Sequence, residues 1–244
     1  MKKRLDTVLI EFGTIADARE AFTMVTEGRV FINGQKAVSP AQMVDTNVKV
    51  EIREGRKYVG RGALKIEAAI QKFGIDVSGK ICVDVGAATG GFTEVLLKHG
   101  AKKVYAIDTA RGKLALKLRE DPRVVVMERT DVRDLRELPE AADVAVIDIS
   151  LLPLEEILPS VKRLIKTSTS VVALFKPQYE TRDPKLLRHG IVKDDATRKA
   201  LLKEFVAWAE ASDWSIQELM ESPIQGMGGN KEYLLYLEPI SRGE

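Results

Sequence analysis

Apolar residues in the first fifty positions follow a helical spacing and then a strand-like spacing. In the helical part they recur three or four positions apart, at Leu5, Val8, Leu9, Ala18, Ala21, Phe22 and Val25. Two short apolar runs then flank Asn33-Gly34, a pair that favours a tight hairpin because both central positions of a type I′ turn need positive φ. The alternating segment 48–52 predicts a further strand. We therefore expect a small α+β domain over residues 1–53.

A segment rich in glycine and positive charge separates this region from the rest of the chain. It covers residues 54–60 and suits an exposed connection, so we place a linker there and a second domain over residues 61–244. The second domain begins with a predicted helix over 61–73, in which Leu64, Ala68 and Phe73 share an apolar side.

Short apolar runs in the second domain alternate with helical patterns. The runs cover residues 81–85, 104–107, 124–127, 144–149 and 171–175. Their β-branched content and the helices between them predict an α/β fold with a parallel sheet that is covered on both faces. A final pair of runs, 214–219 and 232–237, flanks a Gly- and Pro-rich segment and predicts a hairpin.

Composition excludes several classes of protein and of site. Lys and Arg number 38 against 36 Asp and Glu, so any nucleic-acid surface has to be a local patch. One cysteine and two histidines exclude a disulfide framework and a Cys/His zinc site, and we predict no metal and a core position for Cys82. Asp6 and Glu11 interrupt the apolar stretch of a secretion signal, and no run approaches the roughly 20 apolar residues of a membrane span. These features favour a soluble cytoplasmic protein.

The most informative motif is a glycine loop that follows the first strand of the predicted sheet. Gly86, Gly90 and Gly91 lie between the run 81–85 and a predicted helix over 92–99. The spacing is neither that of a dinucleotide fingerprint nor that of a P-loop, which favours a ligand without a pyrophosphate. The alternative is that the glycines form only a tight turn.

Two aspartates at the next strand ends favour the ligand-binding interpretation. Asp108 follows the second strand, where a carboxylate can accept hydrogen bonds from both hydroxyls of a ribose, and Asp131 follows the third, within reach of an adenine amino group. We expect Asp84 to orient the glycine loop and Phe92 mainly to pack. The predicted cofactor-binding residues are Asp84, Gly86, Thr89, Gly90, Gly91, Phe92, Asp108, Asp131 and Val132. This pattern resembles the S-adenosylmethionine-dependent methyltransferases, which implies that cofactor and a Rossmann-like sheet.

Charged residues at the ends of the fourth and fifth strands predict a reaction centre beside this pocket. Asp148 and Lys176 each stand where an apolar run emerges, and a lysine in such surroundings must reach solvent, find an acid or lose its proton. A solvated strand end is the alternative for Lys176. Lys65 is a candidate second cation that would help to neutralise Lys176, and Glu232 could orient Lys65 or a ribose. A neutral lysine can then serve as general base for methyl transfer to a ribose hydroxyl.

Lys65, Asp148, Lys176 and Glu232 match in order and context the Lys-Asp-Lys-Glu tetrad of ribose 2′-O-methyltransferases of the FtsJ type. With the first domain included, nearly the whole chain resembles the TlyA family. The resemblance implies an FtsJ-like domain, preceded by an α-L type RNA-binding module, that methylates cytidine ribose in the RNA of ribosomal subunits. The family has also been labelled haemolysin.

The first domain is similar to the RNA-binding module of a small-subunit ribosomal protein and of pseudouridine synthases. The similarity lies in Arg4-Leu5-Asp6 and in the segment 28–34. It implies phosphate contacts that position the chain on folded RNA, and the expected contacts are Arg4, Arg19, Arg29 and Lys36. The second helix has fewer cations than the module usually carries, and Gly60 and Ala63 stand where serine and glycine are expected.

Two other functions are compatible with the same sequence. A ribosome-binding or assembly factor could retain a nucleoside pocket without catalysis, although binding alone does not require the tetrad. Membrane lysis is suggested only by the family's older label, and no amphipathic or transmembrane segment favours it.

Overall fold

The computed structural model describes residues 2–53 and 57–240, and the chain divides into two compact units between Lys57 and Tyr58. Positions 54–56 of the predicted linker lie outside the described residues, whereas residues 58–60 belong to the second unit. The domain bounds 1–53, 54–60 and 61–244 stay a prediction.

The described residues of the first unit form two helices and two small antiparallel sheets. Its elements are β1 (Lys2–Arg4), α1 (Leu5–Glu11), α2 (Ala18–Thr26), β2 (Val30–Ile32), β3 (Gln35–Lys36), β4 (Met43–Asp45) and β5 (Val50–Ile52). β1 pairs with β4, and β2 lies between β3 and β5. Asn33 and Gly34 have φ of 48° and 79°, which confirms the predicted type I′ turn between β2 and β3. The strand at Lys2–Arg4 has no counterpart in the sequence prediction, because the sequence before the helix is polar.

In the described part of the second unit, seven strands form one sheet. They are β6 (Ile81–Val85), β7 (Lys103–Asp108), β8 (Val124–Glu128), β9 (Ala142–Ile147), β10 (Ile165–Phe175), β11 (Trp214–Glu221) and β12 (Tyr233–Pro239). The spatial order is β11-β12-β10-β9-β6-β7-β8. β6 to β10 are parallel, and β12 pairs antiparallel with both β10 and β11, which confirms the predicted parallel strands and terminal hairpin.

Helices cover both faces of this sheet, as predicted. They are α3 (Ala63–Phe73), α4 (Gly91–Lys98), α5 (Leu116–Arg119), α6 (Leu154–Leu164), α7 (Pro177–Glu180) and α8 (Asp195–Ala211). α3 and α4 pack in one hydrophobic cluster, and α6 and α8 pack in another. Cys82 is fully buried in the first of these clusters, which confirms its core position. None of the helices in residues 2–53 and 57–240 is both long and apolar enough to cross a membrane.

The strand order places a crevice at the carboxyl end of β6. The chain leaves β6 through α4 to β7 on one side, and it later returns to β9 on the other side of β6. The connections from β6 and from β9 therefore run to opposite sides of the sheet. Ligands of open α/β sheets bind at such a switch point. β9 ends at Ile147, earlier than the predicted 149, so Asp148 lies in the loop that follows the strand. β10 begins at Ile165, six residues before the predicted run 171–175. The apolar pattern missed this first half because it is largely exposed and polar.

Candidate active site

A buried ion pair joins the first helix of the second unit to its last strand. Lys65 lies on the buried side of α3, and Glu232 immediately precedes β12. Lys65 Nζ donates to Glu232 Oε2 at 2.5 Å, and both side chains are less than a tenth exposed. Gly226 lies against this carboxylate, and a Cβ at position 226 would overlap the Glu232 side chain. A side chain at 226 would therefore displace the Glu232 carboxylate.

A second ion pair connects two neighbouring parallel strands at their carboxyl ends. Asp148 follows β9 and Lys176 follows β10, and the two strands are hydrogen-bonded neighbours. Lys176 Nζ lies 2.5 Å from Asp148 Oδ1, and it also donates to Ile149 O at 2.9 Å and to Ser150 Oγ at 3.2 Å. An ammonium group has three hydrogens, so these three acceptors account for all of them.

Two links bring the pairs into one site. Gln178 Nε2, two residues after Lys176, donates to Glu232 Oε1 at 3.4 Å. On the other side, a Cβ at Gly62 would lie 3.6 Å from Asp148 Oδ2, and Gly62 is the residue that precedes α3. The structure therefore brings together the four residues predicted to be catalytic, and each lysine is paired with one acid.

A cavity of about 290 Å³ opens beside this site at the carboxyl ends of β6, β7, β8 and β9. Four predicted cofactor residues line it: Gly86, Asp108, Asp131 and Val132. Asp148, Ile149 and Ser150 line it as well, so the groups that contact Lys176 are also part of the cavity wall. Gly86 has φ of 89°, and a Cβ there would collide with the carbonyl of Asp148. The glycine thus allows the loop after β6 to pass close to the loop after β9.

Two carboxylates on the cavity wall are fixed by hydrogen bonds. Asp108 Oδ2 accepts from Ala88 N and Oδ1 accepts from Ala110 N, each at 2.7 Å, which leaves a lone pair on each oxygen for a ligand. Asp131 accepts from the Arg133 side chain and backbone, and the side-chain hydrogen bond from Arg133 lowers the pKa of Asp131. Asp131 is therefore ionised near neutral pH, although much of its accepting capacity is already used.

The other predicted cofactor residues lie behind the cavity wall or on the loop surface. Asp84 is fully buried and accepts from Thr93 Oγ1 at 2.6 Å, which ties β6 to α4. Burial raises the pKa of Asp84 to about 7, the Thr93 hydrogen bond opposes this, and the charge of Asp148 adds to it. Gly90, Gly91 and Phe92 are buried, Phe92 in the core cluster with α3, whereas Thr89 is exposed.

The residues predicted to bind RNA lie in the first unit, and two of them, Arg4 and Arg29, pair with acids. Arg4 Nη2 lies 2.5 Å from Asp6 Oδ2, and Arg29 Nη1 lies 3.4 Å from Glu27 Oε2. Arg19 is exposed on α2, and Lys36 is exposed on β3.

Ser150 and Gln178 contact the tetrad but were not among the predicted site residues. Both flank a predicted residue in the sequence, Ser150 after Asp148 and Gln178 after Lys176. No spacing rule identifies them, because their roles depend on how the loops after β9 and β10 fold back. Lys176 contacts Ile149 through the backbone carbonyl, so the type of side chain at 149 gives no indication of this contact.

Comparisons with known proteins agree with this geometry. The family model described as FtsJ-like methyltransferase matches residues 58–238. The TlyA 16S/23S rRNA (cytidine-2′-O)-methyltransferase of Mycobacterium tuberculosis is 38% identical over 242 residues, which cover 97% of this chain and 90% of that protein. Hemolysin A of Brachyspira hyodysenteriae is 37% identical, with 96% of this chain and 98% of that protein covered.

A solved structure extends the likeness to both units. A candidate hemolysin from Streptococcus thermophilus is 35% identical, with a TM-score of 0.75 and coverage of 98% of this chain and 89% of that one. Most of the chain matches the family model, and relatives above 30% identity match it almost end to end. The chain therefore belongs to the FtsJ-like methyltransferase family, among the relatives of TlyA.

Proposed function

We propose that this protein transfers a methyl group from S-adenosylmethionine to the 2′-hydroxyl of a cytidine ribose in ribosomal RNA. The observation that carries the proposal is the pair of lysine–carboxylate contacts, Lys65–Glu232 and Lys176–Asp148, beside a cavity at the switch point of the sheet. A simple binding site does not require two buried lysines, each matched to an acid. The names of relatives such as TlyA support the choice of RNA and of cytidine.

The cavity wall has the donors and acceptors that a nucleoside cofactor needs. Asp108 has a free lone pair on each carboxylate oxygen for two ribose hydroxyls, and Val132 offers an apolar contact for a base. Gly86 keeps the loop after β6 free of a side chain at the cavity. S-adenosylmethionine bound there supplies a methyl group on a positively charged sulfur. Gly86, Asp108, Asp131 and Val132 are the residues that would hold it.

Lys176 is the proton acceptor in this proposal. To accept a proton it must first be neutral, and a neutral amine has two hydrogens and one lone pair. Asp148 Oδ1 and Ile149 O can only accept hydrogen bonds, so the two amine hydrogens stay directed at them. The lone pair of the amine then points towards Ser150, whose hydroxyl can donate. Ser150 lines the cavity, so this is the side from which a ribose hydroxyl approaches. General-base catalysis of this kind is worth about 10²–10⁴-fold in rate.

Lys65 and Glu232 have a positioning and electrostatic role. Lys65 carries a second positive charge in the site. Glu232 holds Lys65 in place, and Gln178 links the carboxylate of Glu232 to the turn that carries Lys176. The four side chains thereby fix where a proton can leave the ribose.

The first unit supplies RNA affinity in this proposal. Its exposed cations, among them Arg19 and Lys36, are suited to phosphate contacts that position the chain without reading sequence. Arg4 and Arg29 would exchange their carboxylate partners for phosphates.

The proposal is tested by incubating the full chain with methyl-labelled S-adenosylmethionine and unmodified ribosomal subunits. We expect label in the RNA at a small number of sites. Binding of the cofactor and of the subunits without any transfer would contradict the proposal and favour the assembly-factor alternative.

A further inference from the structure

The helix that follows the Asp148 loop begins without a cap of its own. α6 starts at Leu154 after Pro153, which has no side-chain hydrogen bond to offer. The Leu154 N–H instead donates to the carboxyl group of Glu180, at 3.1 Å from Oε1 and 3.3 Å from Oε2. Glu180 is the last residue of α7 and lies 26 positions after Leu154 in the chain. The cap of α6 therefore comes from the turn that follows Lys176.

Glu180 is a partly buried titratable group that takes no direct part in the proposed reaction. Burial raises the pKa of its carboxyl to about 8, the Leu154 N–H opposes this, and the charge of Glu155 adds to it. Arg182 is paired with Glu155 at 3.2 Å. A partly buried carboxyl with one backbone partner costs the fold free energy, so its position needs a reason.

The placement of Glu180 supplies that reason. Residues 148–153 connect β9 to α6, and their first three members are the groups that contact Lys176. α7 begins directly after Lys176, whose carbonyl accepts from Tyr179 N at 2.8 Å and from Glu180 N at 3.3 Å. The segment 176–180 thus holds the loop 148–153 at both ends, by Lys176 at its start and by Glu180 at its end.

We propose that Glu180 is a positioning residue for methyl transfer, which acts through Leu154 to hold the loop 148–153 and thereby aims Lys176 at the cavity. The inference rests on the function proposed above. The charges of Glu155, Glu156, Lys162 and Arg163 already suit the dipole of α6, so a further acid is not needed there for its charge. The hydrogen bond of Glu180 to Leu154 N caps the helix and also ties the end of the loop 148–153 to the segment that follows Lys176.

The test compares Glu180→Ala and Glu180→Gln in the full chain, with Glu156→Ala as the matched control. Glu156 is an exposed acid in the first turn of α6, the turn that Leu154 begins, and its carboxylate contacts Arg133 at 3.5 Å. Methyl transfer to unmodified ribosomal subunits is measured well below the melting temperature of each variant, with the folded fraction checked by near-ultraviolet circular dichroism. Amide hydrogen exchange of residues 148–154 is measured in parallel.

Glu180→Ala is expected to lower kcat by about 10- to 100-fold with little change in KM, since small misplacements of reacting groups have effects of this size. Glu180→Gln keeps an acceptor for Leu154 N–H and is expected to restore most of the rate, and Glu156→Ala is expected to match the parent. Exchange at 148–154 should rise in the alanine variant only. Unchanged exchange in Glu180→Ala, a glutamine variant as slow as the alanine variant, or a loss confined to KM would overturn the inference. A parent chain that methylates no RNA contradicts the proposed function instead.

Discussion

Lys65 Nζ and Glu232 Oε2 lie 2.5 Å apart, although 167 positions separate the two residues in the chain. The contact forms only when α3 has packed on the sheet and β12 has paired between β10 and β11. The reaction centre is therefore complete only in the folded second unit, and its charges are part of the balance that stabilises that unit.

Removal of Lys65 alone should destabilise the protein. Lys65→Met leaves the Glu232 carboxylate buried without its cation, and a broken buried pair costs about 3–5 kcal/mol of unfolding free energy. The double variant Lys65→Met/Glu232→Met removes both charges, so we expect it to regain stability but not methyl transfer. Urea unfolding and the methylation assay together measure this. A double variant as unstable as the single one would argue against charge burial as the cause.

Gly86→Ala should damage the cavity through a collision between two loops. The added Cβ meets the carbonyl of Asp148, and the φ of 89° is itself unfavourable for alanine. Gly112→Ala is the matched control, because Gly112 has φ of 68° but open space around its Cβ position. We expect both variants to lose stability and only Gly86→Ala to lose most of its affinity for S-adenosylmethionine in calorimetric titration. Equal affinities in the two variants would show that the collision is harmless.

Asp84 should make the stability of the second unit depend on pH. Its pKa of about 7 in the folded chain lies above the ordinary value of 3.8, so the folded state binds a proton that the unfolded state has released. This contribution is fully present below about pH 4 and is lost as pH rises to about 7, with a slope of at most about 1.4 kcal/mol per pH unit. Asp84→Asn removes it. The stability advantage of the parent over the variant should therefore shrink between pH 5 and pH 8 in urea unfolding, and a constant difference would contradict the assignment.

RNA binding by the first unit should depend unequally on its cations. Lys36→Ala is expected to reduce the slope of log K against log salt by about 0.7 to 0.9, the value for one phosphate contact. Arg4→Ala should reduce the slope less, because Asp6 at 2.5 Å already neutralises part of the charge of Arg4. Filter binding to ribosomal RNA over a range of salt concentrations measures both slopes. Unchanged slopes in both variants would place the RNA contacts elsewhere.

Much of the fold could be predicted from the sequence, because apolar spacing and turn preferences act over a few neighbouring residues. The apolar run 81–85 corresponds to β6 without a shift, and Asn33-Gly34 forms the turn that its conformational preference requires. The pattern failed where one end of a strand is solvated. The first half of β10 is exposed, and β1 is a short polar strand, so neither has the alternation that identifies a buried strand.

The candidate site was predictable to the extent that strand ends determine it. Asp108 is the last residue of β7, and Asp148 and Lys176 directly follow β9 and β10, so all three lie at the carboxyl edge of the parallel strands. Glu180 and Ser150 could not be found in this way, because their contacts depend on the path of the loops after β9 and β10. Gly226 is another such case, since its role appears only when the Glu232 carboxylate lies against it.

In the proposed reaction Lys176 takes a proton from a ribose 2′-hydroxyl. This role is tested by alkaline hydrolysis of ribosomal RNA after incubation of unmodified subunits with labelled S-adenosylmethionine and either the parent chain or Lys176→Ala. Methylation of a 2′-oxygen protects the adjacent phosphodiester bond, so the parent should give label in an alkali-resistant dinucleotide that contains cytidine. Lys176→Ala should bind the cofactor with unchanged affinity and give no such product. Label released in mononucleotides, or an equal yield of resistant dinucleotide from Lys176→Ala, would contradict the account.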